Sequence, residues 1–212
     1  MLKINEIFLG IQGESTYAGR LCVMVRLTGC NLRCRYCDSQ FAFYEGEERG
    51  IRDLLKEIGR YRCSLVCITG GEPLLQNDVL GFMNALLEGG YAVLLETSGS
   101  ISLKEVPGNV IKIVDIKTPD SGFDKVNMYE NLRYLSSRDE IKFVLCSRED
   151  YLWALQKLKE YDLQSRCTVL FSPAAGLLEP EILAAWIIED EIDVRLQLQL
   201  HKMIWPGRER GA

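Results

Sequence analysis

Apolar and polar positions alternate along this chain with two periods, and the switches between them mark out its elements. Residues 2–8 alternate one by one and predict a strand, after which Gly10-Ile11-Gln12-Gly13-Glu14-Ser15 reads as a loop rich in polar groups. A second strand is predicted over 22–27. Ile51, Leu54, Leu55 and Ile58 then recur at i, i+3, i+4 and i+7, the apolar stripe of an amphipathic helix. From there strands and helices alternate: strand 64–69, helix 79–88 ended by Gly89-Gly90, strands 91–96 and 110–116, a short helix 128–135, strand 140–146, helix 150–161, strand 167–171, helix 180–189 and strand 194–200. Such alternation implies a parallel sheet with right-handed crossovers. A complete eight-fold barrel takes about 250 residues. The 212 residues here therefore predict a single domain over 1–212, an α/β incomplete (β/α)6-type TIM barrel with reduced helix content. The helix missing between 91–96 and 110–116 is part of that reduction. In this architecture the active site lies at the C-terminal ends of the strands.

Composition narrows the choice of partner. A net charge of -5 and the absence of any Lys/Arg block argue against nucleic acid, and no apolar run longer than 183–188 argues against a membrane span. Eight cysteines would suit a disulfide framework in a secreted protein. Residues 1–12, however, scatter Lys3, Asn5 and Glu6 where a secretory signal would place an apolar core, so a reducing, cytoplasmic location is expected. Cys22, Cys63, Cys67, Cys146 and Cys167 lie in or beside apolar stretches and are expected to pack as small hydrophobes.

The other three are different. Cys30, Cys34 and Cys37 stand in a C-x3-C-x2-C spacing between a predicted strand and the helix near Ile51. Close thiols mean a metal, and their number matters: a structural zinc site or an ordinary four-iron cluster takes four protein ligands. Three thiolates on a 4Fe-4S cluster leave one iron open for an exogenous ligand. Further along, strand 64–69 runs into Gly70-Gly71-Glu72-Pro73, where two glycines permit close backbone approach to a ligand and Glu72 offers an acceptor for a cationic amine.

The cysteine spacing with Tyr36 before the last thiol, followed in order by Gly70-Gly71-Glu72-Pro73, resembles the radical S-adenosylmethionine (SAM) superfamily. That resemblance implies a barrel of the radical SAM type. It also implies a 4Fe-4S cluster on Cys30, Cys34 and Cys37, an open iron chelating the amino and carboxylate groups of SAM, and a 5'-deoxyadenosyl radical formed by one-electron cleavage. Gly70, Gly71 and Glu72 would bind the SAM amino group, and Ser98 with Asp115, Ile116 and Lys117 would contact its ribose and carboxylate. Over the whole chain, Asn5-Glu6-Ile7-Phe8, Gln12-Gly13-Glu14, Arg26, Cys37-Asp38-Ser39, Gln199-Leu200-His201-Lys202 and Trp205 resemble the 7-carboxy-7-deazaguanine synthase family.

The implied reaction is a radical ring contraction of 6-carboxy-5,6,7,8-tetrahydropterin with loss of ammonia. SAM would be used catalytically and Mg2+ held near Ser39. Glu14 suits a pterin edge because a carboxylate accepts from adjacent N–H donors, Gln12 both donates and accepts, and Arg26 suits the substrate carboxylate. The resemblance adds Ile11, Gly13, Thr69, Gln199, His201 and the C-terminal carboxylate of Ala212 as substrate contacts. It also implies an electron donor such as flavodoxin or ferredoxin, and a homodimer stands as an expectation. Two other readings stay open. Asp115-Ile116-Lys117 resembles the Asp-x-Lys of glycyl-radical-enzyme activases, which share the cysteine spacing, and three cysteines with a distant fourth ligand would make a non-catalytic zinc-binding module.

Overall fold

In a computed structural model describing residues 1–208, 210 and 211, nine strands form one open sheet. They are β1 (Leu2–Ile11), β2 (Leu21–Leu27), β3 (Glu47–Arg49), β4 (Leu65–Gly70), β5 (Ala92–Thr97), β6 (Ile111–Ile116), β7 (Glu140–Leu145), β8 (Thr168–Pro173) and β9 (Arg195–Leu196). Their order is β3-β1-β2-β4-β5-β6-β7-β8-β9, parallel from β2 onward, with β1 antiparallel to both β2 and β3. The sheet does not close, as an incomplete barrel requires.

Helices cover the outer face where the sequence supplies apolar stripes: α1 (Ile51–Ile58), α2 (Val79–Glu88), α3 (Arg148–Tyr161) and α4 (Pro180–Glu189). Outward side chains of the strands meet them in two apolar clusters, one around Val25, Val66, Ile68 and Phe82 and one around Phe143, Tyr151, Phe171 and Leu183. Because strand side chains alternate, the intervening residues face the inside of the curve. There the strands begin apolar, with Cys22, Met24, Leu65, Cys67, Leu94, Ile111 and Ile113 packed together. Toward their C-terminal ends the same inward positions turn polar: Arg26, Thr69, Glu96, Asp115 and Lys142. Of the cysteines expected as small hydrophobes, Cys22, Cys67 and Cys167 are buried in the apolar clusters and Cys63 packs against them, whereas Cys146 is half-buried beside Asp150 and joins none of them.

The predicted missing helix between β5 and β6 is absent, and the gap is filled locally. Leu103 and Val106 are buried against the sheet, and Asn131 stitches the connection by accepting from Leu103 N and donating to the Gly99 and Ile101 carbonyls at 2.9, 3.0 and 2.8 Å. Residues 128–135 form a 3-10 turn (Tyr129–Tyr134) rather than an α-helix. The one misassigned strand is 194–200. Only Arg195–Leu196 pairs with β8; the chain then leaves the sheet and continues as α5 (Leu200–Ile204), whose first amide donates to the Gly13 carbonyl at 3.0 Å. The short polar β3 carries no alternating apolar signal and was not predicted. No helix is long and apolar enough to cross a membrane among the described residues.

Candidate active site

The inward polar residues, the cysteine loop and α5 enclose one cavity of about 880 Å³ at the C-terminal ends of the strands. That is near the top of the range for small-molecule sites.

The cysteine loop leaves β2 through Thr28 and Gly29 and is tied down along its length. Gly29 N donates to Ala42 O at 2.9 Å, and the Arg33 guanidinium donates to the Cys30 and Leu32 carbonyls at 2.8 and 2.7 Å while lying 4.1 Å over the Phe43 ring. Asn31 donates to Ser100 Oγ at 3.0 Å, linking the loop to the end of β5. Cys30, Cys34 and Cys37 all line the cavity, so their donor set fits an iron–sulfur cluster facing inward. Burial pushes the Cys30 and Cys34 thiols up. Each thiolate of such a cluster binds its own iron, and loading requires loss of the thiol protons.

Gly70 and Gly71 approach this loop. A Cβ on Gly71 would lie 1.9 Å from the Gly29 carbonyl oxygen, and one on Gly70, whose φ is +127°, would lie 2.2 Å from the Leu27 oxygen. Gly71 N and Glu72 N donate to Leu27 O and Gly29 O at 3.1 and 2.8 Å. Here the glycines bring strand β4 against the cysteine loop itself. Glu72 also departs from its expected role as an amine acceptor. Its side chain is fully buried and is not part of the cavity wall. The carboxylate accepts from Leu74 N, Thr97 Oγ1, Ser98 N and Ser98 Oγ at 2.6–3.1 Å. It pins the Ser98 turn in place, and Ser98 lines the cavity instead.

Glu14, also on the cavity wall, is held by two donors: Lys142 Nζ at 2.7 Å and Gln199 Nε2 at 2.8 Å. Burial raises the Glu14 pKa, but the Lys142 charge and the two hydrogen bonds outweigh it, leaving the carboxyl below its ordinary value. Gln12 is nearly buried; its Oε1 accepts from Glu14 N at 3.1 Å and its Nε2 donates to Glu96 at 3.5 Å, while Thr69 Oγ1 donates to Glu96 at 2.8 Å. The Gln12 amide therefore organises the wall. A Cβ on Gly13 would lie 2.2 Å from His201 Nδ1, so only glycine admits α5 this closely. Ile11, Gly13, Gln199 and His201 line the cavity with Glu14.

Arg26 also lines it, with Nε donating to Glu6 at 2.8 Å and the guanidinium 5.6 Å over Phe41. Asp115 and Lys117 pair at 3.0 Å inside the cavity, whereas the Ile116 side chain between them packs into the outer core, as strand alternation demands. Ser39 sits at the start of the 3-10 turn Gln40–Phe43 without capping it, and its hydroxyl lies 3.9 Å from Cys37 Sγ. Beside it Asp38 receives Lys202 at 2.8 Å and Gln199 at 3.3 Å. Ala212 lies outside the described residues.

Glu96 and Lys142 were not expected from the sequence. Their signal was a charged residue at an inward position of an otherwise apolar strand, the same signal that Arg26 and Asp115 carry.

Residues 24–173 match the model of the radical SAM superfamily. Over its full length the chain is 43% identical to the 7-carboxy-7-deazaguanine synthase of Koribacter versatilis, covering all of both chains. It is 41% identical to that of Chlorobaculum tepidum, covering all of this chain and 97% of that one. The crystal structure of QueE from Escherichia coli superimposes with a TM-score of 0.77 over 93% of each chain at 24% identity, a likeness of fold. Neither the activase nor the zinc-module reading accounts for such full-length relatives. The chain belongs to the 7-carboxy-7-deazaguanine synthase family of the radical SAM superfamily.

Proposed function

We propose that the protein contracts the ring of 6-carboxy-5,6,7,8-tetrahydropterin to 7-carboxy-7-deazaguanine with loss of ammonia, as a radical SAM lyase of 7-deazapurine biosynthesis. The observation that carries this reading is one cavity lined both by Cys30, Cys34 and Cys37 and by Glu14, Gln199 and His201. Cys30, Cys34 and Cys37 would hold the cluster, which with SAM bound would supply one-electron radical chemistry for hydrogen abstraction from the substrate, with SAM used catalytically. A reductant supplies the electron, and a flavodoxin or ferredoxin suits that task.

The chain's own residues bind and orient. Glu14, kept ionised by Lys142, accepts from adjacent N–H groups of the pterin edge. Gln199, already on Glu14, fixes the rotation of that carboxylate. Arg26, on the strand entering the cysteine loop, faces the substrate carboxylate, while Glu6 and Phe41 hold its guanidinium in place. Thr69 and His201 complete the wall. On the SAM side, Ser98, Asp115 and Lys117 offer hydroxyl, carboxylate and ammonium groups, and the backbone of Gly70 and Gly71 lies open to the same space. Ser39, whose hydroxyl caps no backbone amide, would be the residue to hold a Mg2+ ion. Such an ion would supply Lewis-acid stabilisation for proton loss and elimination of ammonia.

Incubating the anaerobically reconstituted protein with carboxypterin, SAM, Mg2+ and a strong reductant should yield 7-carboxy-7-deazaguanine, with more than one product per SAM consumed. Accumulation of 5'-deoxyadenosine without deazaguanine product would overturn the proposal. Removal of Mg2+ by chelation should slow turnover, and an unchanged rate would withdraw Ser39 as a metal ligand.

A further inference from the structure

Four charges alternate across the floor of the cavity. Glu14 contacts Lys142 at 2.7 Å, Lys142 contacts Asp115 at 3.7 Å, and Asp115 contacts Lys117 at 3.0 Å. Asp115 and Lys142 are direct neighbours in the register of β6 and β7, so the backbone holds them side by side on the inward face. Lys142 is 9% exposed. One oxygen of Asp115, Oδ1, is buried without a hydrogen-bond partner. A buried carboxylate oxygen left so is costly and favours any donor that reaches it. Lys142 thus stands between Asp115, an acceptor with one oxygen open to a donor, and Glu14, the proposed pterin acceptor.

We propose that Lys142 is a positioning residue that couples the two halves of the cavity: a ligand donating to Asp115 releases Lys142 toward Glu14 and strengthens pterin binding there. This rests on the reading that Glu14 takes the pterin and that SAM occupies the Asp115–Lys117 side. Lys142 hydrogen-bonds Glu14 at 2.7 Å and is also pulled by Asp115 through an ion pair at 3.7 Å. When Asp115 is satisfied by a ligand donor, its hold on Lys142 weakens and the ammonium commits to Glu14 Oε2. Oε1 stays with Gln199, and the carboxylate is fixed as an ionised acceptor. Reciprocity requires that the pterin strengthen SAM binding by the same factor.

The test uses cluster-loaded protein under anaerobic conditions without reductant, so that nothing turns over. Dissociation constants for carboxypterin are measured by calorimetry with and without saturating SAM, in wild type, Lys142→Met and Lys142→Arg. Wild type should bind the pterin about fivefold or more tightly when SAM is present. Lys142→Met should weaken pterin binding about tenfold or more and bring the ratio with and without SAM to about one. Lys142→Arg, whose guanidinium can bridge two carboxylates, should restore part of that ratio. A purely structural lysine would lower both affinities alike and leave the ratio unchanged, which would overturn the inference, as would a wild-type ratio of one. Should Lys142→Met fail to fold or load iron, Asp115→Asn keeps the Lys142–Glu14 contact while cutting the link, and it too should bring the ratio to about one. Wild type that binds no pterin would remove the functional proposal and this inference with it. Wild type that binds and couples, with the ratio intact in the variants, would remove the inference alone.

Discussion

Replacing Gly71 with alanine separates two explanations for the Gly70-Gly71 pair. If the glycines serve only a ligand's approach, Gly71→Ala should affect SAM binding and leave the empty protein as stable as before. The structure predicts otherwise. The new Cβ would sit 1.9 Å from the Gly29 oxygen, 2.5 Å from the Gly29 carbonyl carbon and 3.0 Å from Cys30 Cβ. Reaching a C···O separation of about 3.3 Å asks for a displacement of more than about 1 Å. The obstacle is backbone, not a flexible side chain, and Gly71 is not in the left-handed region, so the cost is steric. Separation breaks the hydrogen bond from Glu72 N to Gly29 O or that from Gly71 N to Leu27 O. Overpacking together with one lost backbone bond gives about 2–4 kcal/mol, or a fall in Tm of about 5–15 °C for a chain of this length. Because the displaced atoms begin the cysteine loop, iron and sulfide per chain after reconstitution should fall as well. Gly108→Ala is the control: a Cβ there meets nothing within 4 Å, so its stability should stay within about 1 kcal/mol of wild type. A Gly71→Ala protein with unchanged Tm and a full complement of iron would refute the reasoning.

Three further outcomes are expected. Glu14→Gln should weaken carboxypterin binding by about ten- to a hundredfold while leaving iron content and SAM affinity intact; parallel loss of all three would show that Glu14 is structural. Glu72→Gln should lower stability by about 1–3 kcal/mol, since an amide cannot accept from all of Leu74 N, Thr97 Oγ1 and Ser98. Thermal melts of the empty protein would reveal it, and SAM affinity should fall with the loosened Ser98 turn. Glu14 is held below its ordinary value of 4.5 in the fold, so its contribution to stability is complete above that pH and is lost as pH falls through the folded pKa. Pterin affinity attributable to this group should therefore be flat from pH 5 to neutrality, and a titration step in that interval that vanishes in Glu14→Gln would contradict the assignment.

Residues that act locally were legible in the sequence. The cysteine spacing, the Gly70-Gly71 turn and the helix 79–88 declare themselves within a few neighbours, and the structure finds that helix with the same bounds. What escaped was set by distant contact. Lys142 reads as one lysine in an apolar strand until β6 places Asp115 beside it and the loop after β1 places Glu14 above it. Glu72 looks like a ligand acceptor until Thr97 and Ser98, from the next strand, fill its oxygens. Residues 194–200 alternate like a strand, yet only two pair with β8, because Leu200 is drawn to Gly13 and the chain turns to cover the cavity. Arg33 braces the cysteine loop through two carbonyls and an aromatic face, contacts that no local pattern announces.

The central claim is that the three cysteines and the Glu14 wall act together on one substrate in one cavity. The most direct measurement is turnover of carboxypterin by wild type and Cys34→Ala, prepared and assayed side by side without oxygen. Wild type should carry iron and sulfide and release 7-carboxy-7-deazaguanine with one equivalent of ammonia, and the variant should release neither. Equal product from Cys34→Ala, or a wild type that carries zinc in place of iron and forms no product, would contradict the account.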